Sequence, residues 1–399
     1  MNLTPGEKDM LRGGAGFAAK KSMEILVALG EIYGADRLLD VASVQVAGVS
    51  YDNLGDAGLE FLEEMARDGR ARVLATLNPA GMDVENWEAL GIPRGFAEKQ
   101  RRVIDLFAGM GILPTCTCTP YFVGNLPRFG EHIAWAESSA VCFANSVIGA
   151  RTNREGGPSA LAAALTGKTP ACGLHLDTDR KPGMGVHVDA GRLLDETEFG
   201  ALGYVAGRRT GGTIPYFTGV HAPELDSLKA LCASLATYGG TALFHMEEVT
   251  PDRVRPPQES IRVTREEIRE AIRELNDASE VDFVSIGCPH ASLSELGRIA
   301  RALQGKRVNV ETWIHLARPL KNTADLMGYT EIIEKAGARL VCDTCMVVAP
   351  LKGRFRGLAT NSAKAVFYAR AKNGFRAAYR PLEECLAIAV GGRPAPESR

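Results

Sequence analysis

Two hydrophobic periods alternate along most of the chain. Apolar residues recur at helical spacing over 17–33, in "LGDAGLEFLEEMARDG", which closes at Gly69, and in "FAEKQRRVIDLFAGMG". Between these segments, "LLDVASVQVAGVS" and "RVLATL" are short, apolar and rich in β-branched residues, so they predict strands. "ILPTCTCT" (112–119) reads as the next extended segment. Residues 125–245 are rich in glycine and small residues and show no clear period. "PDRVRPPQES", with three prolines and four charges, reads as a linker. Beyond it the pattern is plain. Thr264 with Glu267 and Ser292 with Glu295 form capping boxes ahead of two helices. "VDFVSIG", "RVNVETWI" and "ARLVCDT" are strands, and "TADLMGYTEIIEKAG" is a helix. Strands alternating with helices predict layered α/β lobes with mostly parallel sheets and right-handed crossovers. The expected lobes are 1–124, 125–255 and 256–399.

The bulk properties narrow the function classes. The 399 residues are 45% hydrophobic and 24% charged, an ordinary globular composition. A formal net charge of −2 gives no basic excess for nucleic acid. The N-terminus lacks the basic-then-apolar layout of a signal peptide, and no apolar run reaches the roughly 20 residues that span a bilayer. A cytoplasmic protein is expected. Its nine cysteines, an odd number in a long chain, read as reduced thiols rather than a disulfide framework.

The placement of the cysteines carries the chemistry. Cys118, Cys288 and Cys345 each fall at or just past the carboxyl end of a predicted strand, followed by "TPY", "PHAS" and "MVVAP". Ligands of open α/β sheets bind outside the carboxyl ends of strands. Three cysteines from distant segments can therefore meet at one sheet edge, and exposed helix amino ends there would stabilise thiolates. Cys142, Cys232 and Cys385 lie in apolar settings and read as packing, with Cys172 less clear. Cys116 and Cys342 read as packing or supporting residues. Three thiolates at a crevice suit an iron–sulfur cluster with one iron left open to substrate. A competing reading uses Cys116, Cys118, Cys342 and Cys345 ("CTC" and "CDTC") as a four-thiolate structural zinc site. A redox pair at Cys342 and Cys345 is weaker, because Cys342 lies inside a strand rather than opening a helix.

Long motifs sharpen the choice. "CTCTPYFVGNLPRFGEHIAWAESSAVCFANSVIGARTNREGGPSAL", "SIGCPH" and "DTCMVVAP", with "GGAGFAAKKSMEIL" and "VSYDNLGD", resemble the catalytic large subunits of the aconitase X family over nearly the whole chain. The resemblance implies an aconitase-like fold around a central cleft, a 4Fe–4S cluster on Cys118, Cys288 and Cys345, and hydro-lyase activity. Family members with a fused swivel domain dehydrate cis-3-hydroxyproline. Split, archaeal-type members pair with a small swivel-domain subunit and are implied to dehydrate 5-phosphomevalonate to trans-anhydromevalonate 5-phosphate. No swivel domain is expected in this chain, which favours the split form. The resemblance puts the main base, a serine, on the small subunit.

An anionic substrate needs donors. "NSVIGARTNREGG" offers Asn145, Ser146, Arg151, Thr152, Asn153, Arg154 and Glu155, with Arg151 and Asn153 favoured for binding and Ser146 as a catalytic candidate. As a bare sequence the stretch reads more readily as a solvated loop, and the resemblance is what turns it into a binding candidate. Ser50, Asp52 and Asn53 in "SYDNLGD" are further binding candidates, or else a turn that caps a helix. His290, two residues after Cys288, is the candidate acid for the departing hydroxide. Lys352 is a candidate for phosphate, or part of a solvated basic loop.

Overall fold

The computed structural model describes residues 1–391, and its strands group into three units along the chain. The first contains a parallel sheet in the order Leu74–Leu77, Ser43–Val46, Ala134–Trp135. Val44 stands opposite both Ala75 and Ala134. All four residues of the central strand are buried, as a strand covered on both faces requires. Leu62, Met65, Val103, Phe107 and Leu161 from the surrounding helices complete this core.

The second unit is a four-stranded parallel sheet: His245–Met246, Pro215–Thr218, Met184–Asp189, Ser260–Thr264. Its helices Glu196–Thr210 and Leu225–Tyr238 approach closely because Gly207 meets Gly239. A Cβ on Gly207 would lie 2.9 Å from the Gly239 nitrogen. The third unit is a five-stranded parallel sheet in the order Arg339–Cys342, Glu311–Leu316, Phe283–Ile286, Gly357–Thr360, Arg376–Tyr379. The chain lays down 283–286, 311–316 and 339–342 in one direction, then crosses back to the other side of the first strand. That reversal is a topological switch point, where α/β sheets open a crevice.

Both capping boxes form as the pattern predicts. Three expectations need correction. The segment 112–119 is not a strand: Leu113 makes only an isolated bridge to Thr76, and Cys116 then turns into the left-handed region at φ 44°. Pro114 also removes a ladder donor. The helix expected over 323–337 is two helices, Arg318–Leu326 and Tyr329–Lys335, separated by Gly328 at φ 73°. The strand Ala134–Trp135 belongs to the first sheet and Ser260–Thr264 to the second. As the strands group, the cuts at 124 and 255 therefore fall inside units. Among the described residues, no helix is long and apolar enough to cross a membrane.

Candidate active site

Cys118, Cys288 and Cys345 line one cavity of about 560 Å³ where the three units meet. Each is carried by a loop. Cys288 follows the strand Phe283–Ile286 at the switch point, and Cys345 follows Arg339–Cys342 on the same edge. Cys118 arrives from the irregular segment of the first unit. Gly287 makes the Cys288 loop possible: it sits at φ 93°, and a Cβ there would lie 2.2 Å from the His315 carbonyl oxygen. Gly287→Ala should therefore displace Cys288. We expect a loss of at least about 1–2 kcal/mol in thermal or denaturant unfolding, the ordinary penalty of left-handed backbone before the clash is added.

The three sulfurs are supplied with donors. The His290 N–H donates to Cys118 Sγ at 3.2 Å. The Ser362 hydroxyl bonds the Cys288 sulfur, and the N–H groups of Val347 and Val348 face that of Cys345. These donors come from turns rather than from the ends of long helices. Burial pushes all three thiols up, Cys288 to about 12. Bare, they are neutral; a bound cation is what holds buried cysteines as thiolates. Three thiols lining one cavity, each with a hydrogen-bond donor and with open volume beside them, fit an iron–sulfur group with one iron free of protein ligands.

His290 is not placed as the proton donor expected of it. The ring is fully buried, with Nδ1 2.9 Å from Thr117 Oγ1 and Nε2 3.0 Å from the Thr344 carbonyl. A carbonyl only accepts, so Nε2 carries the proton and Nδ1 accepts from the Thr117 hydroxyl. Burial pushes its pKa down to about 4, which keeps the ring neutral. With both nitrogens engaged, it has no proton to offer the cavity.

Lys364, Glu137 and Lys372 on the cavity wall were not anticipated. Lys364, near the start of the helix Ala363–Tyr368, is buried against Glu137 and also approaches Ser139 Oγ at 3.3 Å. Burial alone would lower the Lys364 pKa, but Glu137, Cys288 and Cys118 together raise it. Burial would likewise raise that of Glu137, and the Lys364 ammonium with the Ser139 hydroxyl and Ala140 N–H brings it below the usual range. Both therefore stay charged at neutral pH. Lys372 also lines the cavity, its Nζ held between Asp52 Oδ2 and the Val347 carbonyl, each at 2.9 Å. Ser138 and Asn78 complete the polar lining.

The polar stretch 145–155 divides. Arg154 and Glu155 line the cavity and also a second one of about 400 Å³ on their other side. Arg154 is exposed and meets no carboxylate among the described residues. Glu155 is half-buried; desolvation raises its pKa, and it accepts from the Ser159 and Thr169 hydroxyls. The others are structural. Arg151 is bound to Asp252 and Asp177 and lies over the Phe129 ring, away from the cysteines. Asn145 brackets the backbone of Thr152 and Ala242 and accepts from Arg180. Ser146 accepts from the Phe244 N–H at 2.9 Å and does not reach the cavity. The Thr152 hydroxyl donates to the Asn153 carbonyl, and Asn153 braces residues 172–174 while facing only the second cavity.

Of the N-terminal candidates, Asn53 lines the cysteine cavity. Asp52 orients Lys372, and Ser50 donates to the Val348 carbonyl at 3.0 Å, tying the first unit to the Cys345 loop. Lys352 is exposed on a turn and lines none of these cavities. It reads correctly as solvated.

The zinc arrangement does not form. Cys116 is buried in the core of the first unit and Cys342 in that of the third, while Cys118 and Cys345 face the cavity. Among the described residues no three His, Cys, Asp or Glu side chains converge to hold one metal ion. Thiolates of a cluster bind separate irons and need not converge in that way. The division between Cys342 and Cys345 likewise removes the redox pair.

Comparison with known proteins identifies the family and the fold. The aconitase X first domain matches residues 1–178, the second domain 182–273 and the third 281–391. The chain belongs to the aconitase X family. It is 49% identical over 92% of its length to the phosphomevalonate dehydratase large subunit of Methanocaldococcus jannaschii, covering 95% of that protein. It is 46% identical to the protein of the same name from Methanosarcina mazei, with 98% of each chain covered. The cis-3-hydroxy-L-proline dehydratase of Pseudomonas aeruginosa is more distant, at 36% identity over 97% of this chain and 70% of that one. The crystal structure of Thermococcus kodakaraensis aconitase X in its holo-form superposes with a TM-score of 0.90 at 45% identity, over 98% of this chain and 100% of that one.

Proposed function

We propose that this chain is the large subunit of a dehydratase that removes water from mevalonate 5-phosphate, with a 4Fe–4S cluster held by Cys118, Cys288 and Cys345. The carrying observation is that these three buried cysteines share one cavity with Lys364, Lys372 and Arg154. The relatives named for phosphomevalonate at 46% and 49% identity are matched over nearly their full length, which supports this substrate over hydroxyproline. When bound, such a cluster supplies Lewis acidity toward a departing hydroxyl.

The chain's own residues bind and orient. Arg154 and Lys372 supply positive charge for the phosphate and carboxylate, and the Asn53 amide and Ser138 hydroxyl can hydrogen-bond substrate oxygens. Lys364 Nζ keeps its protons and sits where it offsets negative charge near Cys118 and Cys288. Glu137 is held ionised, so it accepts hydrogen bonds and fixes Lys364 rather than donating a proton. The reaction takes a proton from the carbon beside the carboxylate and hydroxide from the tertiary carbon, leaving a double bond and one water. The relatives' designation as large subunits implies a small one, and we assign the base to a serine on its swivel domain. The complex is placed in the cytoplasm.

The test is anaerobic assay of the chain co-expressed with its small subunit. Mevalonate 5-phosphate should be dehydrated, cis-3-hydroxyproline left intact, and the large subunit alone should be nearly inactive. Dehydration of hydroxyproline with phosphomevalonate untouched would overturn the substrate.

Phosphate recognition is separately testable. A charge-assisted contact contributes about 1.5–3 kcal/mol, so Arg154→Ala should weaken mevalonate 5-phosphate binding by roughly 10–150-fold. Mevalonate itself should weaken far less. Arg151→Ala should leave both affinities near wild type and lower stability, because it strips a partner from Asp252. Equal weakening of both ligands by Arg154→Ala would move that arginine to the carboxylate.

A further inference from the structure

His290 touches all three cysteine loops. It lies two residues beyond Cys288. Its backbone N–H donates to Cys118 Sγ, and its Nδ1 accepts from Thr117, the residue before Cys118. Its Nε2–H donates to the carbonyl of Thr344, the residue before Cys345. Among the described residues, no side chain that lines the cavity makes these three connections.

The ring is itself locked. The Thr344 carbonyl accepts a second bond from His315 Nδ1 at 3.1 Å, and His315 Nε2 lies 3.0 Å from Ser285 Oγ, on the strand that leads to Cys288. Lys229 Nζ, 3.3 Å from the His290 carbonyl, holds the backbone from the second unit. The Thr344 carbonyl fixes the tautomer and the Thr117 hydroxyl donates to the other nitrogen, so the imidazole cannot rotate without breaking two buried bonds. Cys118 and Cys345 come from segments more than two hundred residues apart. Their relative position depends on contacts of this kind rather than on chain connectivity.

We propose that His290 is the positioning residue that sets the spacing of the three cysteines, and that iron retention depends on its ring. This rests on the reading that these cysteines hold an iron–sulfur cluster. The backbone N–H to Cys118 survives substitution, so a side-chain variant isolates the ring's two bonds.

The experiment uses the full chain with its small subunit, reconstituted anaerobically with ferrous iron and sulfide. Iron and sulfide per chain, the visible absorption and the rate of iron loss to EDTA are measured for wild type, His290→Leu, His290→Gln and Thr117→Val. Substituting partners that orient metal ligands typically costs about 10–100-fold in metal affinity, and His290→Leu should lose iron faster by that order. His290→Gln keeps an N–H near the Nε2 position and should fall between Leu and wild type. Thr117→Val removes the partner of the ring's Nδ1, along with the Thr117 hydroxyl's contacts to Thr119, with little change of shape, and should also speed iron loss and alter the visible spectrum. It decides the matter if the Leu variant does not accumulate. Wild-type rates and spectra in Thr117→Val or His290→Leu would overturn the proposal. So would a Gln variant no better than Leu with all spectra unchanged, which would mark a purely structural side chain. Wild-type complex that takes up neither iron nor sulfide would overturn both this inference and the reading beneath it.

Discussion

Cys118→Ala, Cys288→Ala and Cys345→Ala should each abolish iron–sulfur incorporation and dehydration, while Cys116→Ala and Cys342→Ala retain both. The contrast is sharp because the chemical change is the same and only the location differs. Cys118 faces the cavity, and Cys116, two residues earlier, is buried among the apolar side chains of the first unit. The left-handed turn at Cys116 separates the two directions. Losing one of three protein ligands leaves too few thiolates to hold a cluster. Losing a packed thiol removes only a small buried group, at about 1 kcal/mol. Iron and sulfide analysis of the five anaerobically purified variants, with turnover measured in parallel, checks this. Loss of the cluster in Cys116→Ala with retention in Cys118→Ala would reverse the assignment.

The second large effect belongs to Lys364. Lys364→Met should cost about 3–5 kcal/mol, because it leaves the Glu137 carboxylate buried without its counter-ion. Activity should fall with it, since Lys364 also offsets charge beside Cys118 and Cys288. Adding Glu137→Gln should restore much of the stability but not the activity, and denaturant unfolding of the two single variants and the double separates the terms. The pH dependence has a definite sign. The Glu137 pKa is lowered on folding, so its contribution is complete above the unfolded carboxylate value and is lost as pH falls through the depressed one. The Lys364 pKa is raised, so its contribution holds below the unfolded lysine value and fades only as pH rises beyond it. Wild type should therefore show a stability loss at acid pH that Glu137→Gln with Lys364→Met lacks. An unchanged acid profile in the double variant would contradict this assignment.

Three of the five strands of the third sheet were legible as short apolar runs beside a glycine or a capping box, whereas Gly357–Thr360 and Arg376–Tyr379 carry no such run and were not read. The same regularity located Cys288 and Cys345 at strand ends. Cys118 was found for a partly wrong reason: its segment is irregular, and what separates it from Cys116 is a backbone turn rather than strand alternation. The binding residues were harder to read. Arg151 and Arg154 stand three apart in one polar stretch, and nothing local shows that Asp252, a hundred residues on, claims the first and leaves the second free. His290 looked like an acid because the partners of its ring, Thr117 and Thr344, are distant in sequence. Lys364 carried a signal that could have been used. It is a lone charge among apolar residues in "SAKAVFY", on a helix whose first turns are buried, and a buried lysine requires a partner. Glu137 could not be named as that partner without the fold.

The most direct test of the site is a crystal of the anaerobically prepared complex, measured at the iron absorption edge. An anomalous peak should lie within bonding distance of the Cys118, Cys288 and Cys345 sulfurs, open toward Arg154 and Lys372, with none at Cys116 or Cys342. Metal bound at Cys116 or Cys342, or iron-replete active complex with no peak between the three cysteines, would contradict it.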